Sequence, residues 1–298
     1  MSSAGKDTPD FSRNARCLAC ASESLHFFGT RDGHRYDRCG HCGTLQLNPM
    51  PSAAFLAEAY SKNYAVAGHC QGDPAIRNKA AVPQYDALCD ALGRSGVRGR
   101  ILDHGCGWGG LLLRLKERGI AAEGLEPSDA MAAYCEALGF TVLREPMEAL
   151  PGEGVYDALL LSSVFEHLTE HGKWLQAAHR LLVPGGVLIS LQPTARFAAL
   201  GAQIARLGRY SAPLPALHQV FSPPWHTTLF SLKGMRLLLE QHGFLLESIS
   251  PAPLQREMGM TGVIQNAVRL VNACAFPFFG VHWPLWIGHI FTFRKPLQ

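Results

Sequence analysis

The sequence predicts an α/β fold in which a mostly parallel sheet carries helices on both faces, behind a small cysteine-stapled module. Three observations predict it. Apolar runs of strand length alternate with helical patterns from Arg100 onward. The stretch ILDHGCGWGG, Ile101 to Gly110, runs a strand into closely spaced glycines. Near the N-terminus, Cys17-x2-Cys20 is followed after 18 residues by Cys39-x2-Cys42.

Composition bounds the class. At 298 residues with 47% hydrophobic side chains, the chain is long enough for a full core, as one large domain or two. A formal charge of +3 is too small to argue for nucleic acid or an anionic membrane, and no basic cluster adds to it. Residues 1–16 are polar, include Pro9 and lack an apolar run. They read as a disordered tail, and as neither secretory signal nor anchor. Four of the nine cysteines fall into a metal pattern and the rest scatter through core-like sequence, which points to a reducing, cytoplasmic compartment.

Taken in order, residues 17–50 read as a zinc ribbon, two knuckles donating four thiolates to one tetrahedral ion. Gly40 and Gly43 suit a tight knuckle, and LHFFGTRDGHRYDR reads as a hairpin turning at Asp32-Gly33. Four thiolates leave zinc no open position, so Cys17, Cys20, Cys39 and Cys42 are expected to be structural ligands. The other roles open to such a module are recognition of a carrier protein, of an acceptor or of RNA, although it lacks the Lys/Arg run that would track phosphates. Residues 51–75, with Tyr60 and Tyr64, read as a connector over the active site. The remainder, 76–298, reads as one α/β domain. A helix is expected near Ile76 to Leu92, then strands at Arg100–His104 and before Glu126, and a helix over Ala130–Leu138. Further strands fit Phe140–Leu143, Tyr156–Leu161, Val187–Leu191, Leu245–Ser250 and Trp286–Lys295. Two insertions, near 193–224 and 251–284, read as lids. The second is apolar and aromatic, which favours a hydrophobic or aromatic acceptor. The nearly chargeless run from Leu270 to Phe293 reaches spanning length, but its prolines, glycines and polar residues argue against a continuous helix in lipid and leave a peripheral membrane contact open.

Gly105, Gly107 and Gly109 allow a sharp turn and close approach to a ligand, and Glu126, ending the next apolar run, can accept both hydroxyls of a ribose. With Gly110 the loop also satisfies a dinucleotide fingerprint, so by itself it suits an NAD-linked oxidoreductase equally. Asp103 before the loop, GLEPS at Gly124–Ser128, YDALLLSSVFEHL at Tyr156–Leu168 and LLVPGG at Leu181–Gly186 together resemble the class I S-adenosylmethionine-dependent methyltransferases. With the paired knuckles, CGTLQLNP and the tyrosine pair, the chain resembles the zinc-ribbon members that act on small molecules, including deoxysugar C-methyltransferases. Within these 298 residues no second α/β domain is expected after the core, unlike in those sugar enzymes, so the resemblance does not carry over their nucleotide-sugar acceptor. The resemblance implies a Rossmann-like, doubly wound sheet with an antiparallel last strand. It assigns Gly105, Cys106 and Gly107 to the methionine part of the cofactor, Asp103 to its amino group and Glu126 to its ribose, with adenine against Pro127 and Met147. Where relatives often carry Gly-Asp this chain has Glu145-Pro146, so the backbone from Met147 to Glu148 is expected to meet the ring. Ser162 and Ser163 fall near the methionine end.

Methyl transfer from a sulfonium is an in-line displacement, governed by positioning. A base is needed where the acceptor carries a proton, and histidine suits that near neutral pH. The candidates are His167 in EHL, His226 in PPWHTTLFS, which resembles the base of the sugar C-methyltransferases, and Tyr64, for orienting the acceptor. A cap or ion-pair role for Glu166-His167 stays open, while His104, His171 and His179 read as strand-end or helix-surface residues. The function expected is methyl transfer to a small molecule in secondary metabolism or glycan precursor synthesis. The alternatives are an rRNA methyltransferase, an NAD-linked oxidoreductase and a non-catalytic zinc-dependent binding protein.

Overall fold

The computed structural model describes residues 11–56, 58, 73–207, 220–257 and 259–297. Its body is a seven-stranded sheet of order β12-β13-β10-β9-β6-β7-β8. These strands are β6 (Ile101–His104), β7 (Glu123–Leu125), β8 (Val142–Leu143), β9 (Tyr156–Ser162), β10 (Leu182–Pro193), β12 (Leu245–Pro251) and β13 (Gly288–Arg294). Strands β10, β9, β6, β7 and β8 run parallel, and β13 lies antiparallel between β10 and β12, as the sequence led us to expect.

Both faces are covered because the central strands β6, β9 and β10 are buried on both sides. Leu159 and Leu161 of β9 face a core shared with Trp174, Leu175 and Ala178 of α4 (His171–Leu181) and with Leu238 and Leu239 of α6 (Leu232–Gln241). The alternating Ala158 and Leu160 face a second core with Leu88 and Leu92 of α1 (Pro74–Ser95) and Leu111 and Leu115 of α2 (Gly110–Glu117). Helix α1 starts where Asp73 Oδ1 accepts from Ala75 N at 2.8 Å, with Pro at its first turn, and ends at Gly96 with φ 72°. Helix α3 (Asp129–Ala137) links β7 to β8. Helix α5 (Ala195–Leu207) opens the first expected insertion, of which 208–219 lie outside the described residues. Helix α7 (Gly259–Phe279) fills the second and exposes Met260, Val263, Leu270 and Phe278. The apolar run expected near 270–293 breaks after Phe279 into one 3-10 turn and then β13. Among the described residues no helix is long and apolar enough to cross a membrane.

The N-terminal module differs from expectation in two ways. Its hairpin, β2 (Leu25–Arg31) and β3 (His34–Cys39), does turn at Asp32-Gly33, with φ 47° and 80°. However, its sheet has the order β11-β4-β3-β2, and only β2, β3 and β4 (Leu45–Leu47) come from the ribbon. Strand β11 (Thr228–Leu229) comes from the body, pairing Thr228 with Gln46 and Leu229 with Leu45. The boundary at residue 50 therefore does not separate two cores: Cys17, Ala19, Cys39 and Cys42 pack in the same cluster as Phe165, Phe230 and Met235. The tail expected over 1–16 also needs correction over its last six residues. β1 (Phe11–Ser12) pairs with β5 (Met50–Pro51), and Asn14 exchanges hydrogen bonds with the side chain of Asn48, because Phe11 finds the ring of Phe55 to pack on.

Candidate active site

Strand order reverses between β6 and β9, so their carboxyl ends open a crevice at the switch point of the sheet. The glycine loop crosses it. Gly105 has φ +71°, and a Cβ there would meet Val164 Cγ2 at 2.5 Å, so only glycine lets the loop lie against the segment after β9. Gly107, at φ +53°, has nothing within 4 Å of its missing Cβ, which leaves room for a ligand against the backbone. Asn78 of α1 clasps the loop, its Nδ2 donating to the Trp108 carbonyl at 2.9 Å.

Two carboxyls face this loop. Glu126 Oε2 accepts from Gly107 N and Oε1 from Ser128 N, both at 2.9 Å. Burial raises its pKa against the pull of those two N–H groups. Asp103 is 1% exposed, and neither of its oxygens has a hydrogen-bond partner among the described residues. Burial first, and the charge of Glu126 second, push it up to about 8. An orphaned buried carboxyl beside an open glycine loop fits a cationic ligand group, such as the amino group expected from the family resemblance. The indole Nε1 of Trp108 is likewise buried without a partner among the described residues, and no motif had singled out that donor.

A second cluster forms just after β9. The 3-10 turn Phe165–His167 follows β9, and the segment before β11 brings His226 to it. The donor atoms of Glu166, His167 and His226 lie within 4.8 Å of one another, and the two imidazoles meet edge to face with centroids 4.7 Å apart. Glu166 is 1% exposed, with both oxygens unpartnered among the described residues, and burial pushes it up to about 8. Sequence reasoning paired Glu166 with His167 but had no signal for the meeting with His226, 59 residues on. Tyr36 was missed altogether. Its hydroxyl donates to the His226 carbonyl at 2.9 Å, tying the ribbon to this cluster.

Burial distinguishes the remaining expected residues. Met147 is 1% exposed in the main core beside Leu125 and Leu150, so its side chain serves packing, and the exposed Pro127 and Glu148 are left at the rim. Ser162 ends β9, and the exposed Ser163 has φ 57°, a left-handed conformation that turns the chain out of the strand. Cys106 packs in a small core with Cys135, whose Sγ donates to the Gly107 carbonyl at 3.2 Å. Tyr64 lies outside the described residues. His104 closes β6, as expected, and stacks on Trp174, accepting from its Nε1 at 3.1 Å, whereas His171, expected on a helix surface, is buried and donates through Nε2 to the Phe165 carbonyl at 3.0 Å. Burial lowers both to about 4, so both are neutral. The four ribbon thiols converge, their sulfurs within 4.8 Å of one another, with Cys17–Cys42 and Cys20–Cys39 at 3.6 Å. The Cys42 N–H points to Cys39 Sγ at 3.5 Å, the bond of a metal knuckle.

Comparison with known proteins adds the following. The family model described as "Methyltransferase domain" matches residues 77–249. The ubiquinone biosynthesis O-methyltransferase of Caulobacter sp. (strain K31) is 30% identical over 109 residues, 34% of this chain and 43% of that protein. A demethylmenaquinone methyltransferase of Thermus thermophilus is 37% identical over 102 residues, 31% of this chain and 46% of that protein. The chain thus spans about half the length of the curated relatives it matches. The 1,6-didemethyltoxoflavin-N1-methyltransferase of Burkholderia thailandensis, solved with S-adenosylhomocysteine, superposes with TM-score 0.54 at 14% identity, covering 91% of this chain and 99% of that one. The cyclopropane synthase MmaA2 of Mycobacterium tuberculosis gives TM-score 0.54 at 17% identity, covering 80% and 98%. At such identities these structures share the fold alone.

Proposed function

The chain belongs to the methyltransferase-domain family, and from that premise we propose that it transfers the methyl group of S-adenosylmethionine to a small, hydrophobic or aromatic acceptor. The observation that carries this reading is Asp103, a buried carboxyl with both oxygens unpartnered among the described residues, beside a glycine loop at the switch point of the sheet. In this reading Asp103 holds the amino group of the cofactor. The backbone at Gly105, Cys106 and Gly107 follows its methionine part, Glu126 takes the ribose, and Pro127 with the Met147–Glu148 backbone borders the adenine. When bound, the cofactor supplies an electrophilic methyl on sulfur. The chain's own contribution is to hold the acceptor in line with that methyl and to exclude water. Ser162 and Ser163 border the methionine end, Tyr64 orients the acceptor, and the imidazoles of His167 and His226 lie where an acceptor proton would be taken.

The four converging thiols suit zinc as a structural ion, with no position left for chemistry. Relatives named for ubiquinone and demethylmenaquinone methylation accord with an apolar acceptor, as does the exposed apolar surface of α7, near which a lid or peripheral membrane contact would lie. A place in secondary metabolism or glycan precursor synthesis, in the cytoplasm, fits the same chemistry. The test is isothermal titration of zinc-loaded protein with S-adenosylhomocysteine, beside Glu126→Ala. Binding that weakens in the variant supports the proposal. Binding of NADH in its place, or no nucleotide binding by folded protein, overturns it.

A further inference from the structure

The cluster of Glu166, His167 and His226 holds chemistry that cofactor binding does not use. Two imidazoles and a carboxylate each present one donor atom, all within 4.8 Å of one another. This donor set suits zinc and its first-row neighbours, which hold such ligands at about 2.0–2.2 Å. Gathering the three atoms on one ion needs side-chain shifts of about an ångström, within reach of small χ rotations.

Two further observations point to a cation. The Glu166 carboxyl is buried, and neither oxygen has a hydrogen-bond partner among the described residues. A buried polar group without a partner costs free energy until something pairs with it, and a bound cation is such a partner for a carboxyl. The rest of the residue is fixed, its carbonyl accepting from both Thr227 N, at 2.9 Å, and Thr227 Oγ1, at 3.0 Å. That double bond zips the turn after β9 to the segment carrying His226. His226 is also oriented: its Nδ1–H donates to the Val220 carbonyl at 2.7 Å, which puts the lone pair on Nε2. A carbonyl taking the second ring nitrogen is the outer-shell arrangement found behind metal-ligating histidines.

The geometry points to a divalent metal site formed by Glu166, His167 and His226, taking zinc or a first-row neighbour and leaving coordination positions for the oxygen of a hydroxylated acceptor. The site adjoins the cradle, since Val164, two residues before Glu166, lies against Gly105. A hydroxyl held by such an ion is more acidic, so the ion would replace an imidazole base in preparing it. That use rests on the methyl-transfer reading, whereas occupancy of the site does not.

The test counts metal. Full-length protein is equilibrated with excess zinc, passed through a desalting column and measured by plasma mass spectrometry, as wild type, as Glu166→Gln and as His226→Ala. The expected result is two zinc ions per chain in the wild type and one in each variant, the remaining ion being that of the ribbon. Cobalt loading separates the two sites. The ribbon equivalent brings sulfur-to-cobalt charge-transfer absorption, and the second brings weaker visible bands without it, which His226→Ala removes. Unchanged affinity for S-adenosylhomocysteine shows that the variants fold. One zinc per chain in the wild type, or two in the Glu166→Gln/His226→Ala double variant, overturns the proposal. Two zinc ions with no S-adenosylhomocysteine binding would instead overturn the function proposed above and leave the metal site standing.

Discussion

At the scale of single residues, Asp103 sets stability against function. In the folded chain it titrates near 8, against roughly 4 in an unfolded one. Between those values the folded state holds a proton that the unfolded state has lost, so this group's contribution to stability falls as pH rises from about 4 to 8, then levels off. Asp103→Asn removes that loss. Ligand-free variant is expected to melt above the wild type at pH 8, with the gap closing toward pH 4, as calorimetric scans across pH would record. The same change removes the partner of the cofactor amino group and should weaken S-adenosylhomocysteine by roughly 10- to 100-fold, the loss expected of about 1.5–3 kcal/mol for a charged hydrogen bond. A variant that melts higher and binds as well as the wild type would remove Asp103 from the site. Glu126→Ala is expected to weaken binding over a similar range in the same titration.

At the scale of elements, what a residue does depends on which segment faces it. Gly105→Ala places a Cβ at 2.5 Å from Val164 Cγ2 in a left-handed conformation. The backbone alone costs about 1–2 kcal/mol for a side chain there, so the melting temperature should fall and nucleotide binding should be lost. Adding Val164→Ala relieves the clash but not the backbone, and should restore only part of both, read by calorimetry and titration. Tyr36→Phe deletes the hydroxyl on the His226 carbonyl and should cost about 1 kcal/mol of stability. Methyl transfer is expected to fall while S-adenosylhomocysteine affinity holds, which kinetics beside titration would show. The parallel strands and the glycine loop were legible because continuous apolar runs such as Ala158 to Leu161, and glycines such as Gly105, leave local marks. Strand β11 was not, since two residues carry no period and their partners on β4 lie far away in sequence. The meeting of Glu166 with His226 was hidden for the same reason. The burial of Met147, His104 and His171 depends on neighbours such as Trp174 that only packing supplies.

At the scale of the whole molecule, the ribbon and the body are expected to unfold together. The cysteine cluster packs against Phe230 and Met235, and Ser231 Oγ, which caps α6, donates to the Cys42 carbonyl at 2.5 Å. With zinc held by the four thiols as proposed, its removal by a chelator is therefore expected to lower the temperature of a single calorimetric transition, and Cys39→Ser should do the same without chelator. A lone early transition for the ribbon, with the body unchanged, would show two independent units instead. The shared sheet also bears on synthesis. The open edge of β4 is made by residue 47, but the strand that covers it ends at residue 229. At roughly 5–20 residues per second, a ribosome leaves that edge uncovered for roughly ten to forty seconds. The nascent chain thus carries a strand edge and four reactive thiols long before the segment bearing His226 exists, and whatever delivers zinc early shortens the time in which they are open to mispairing.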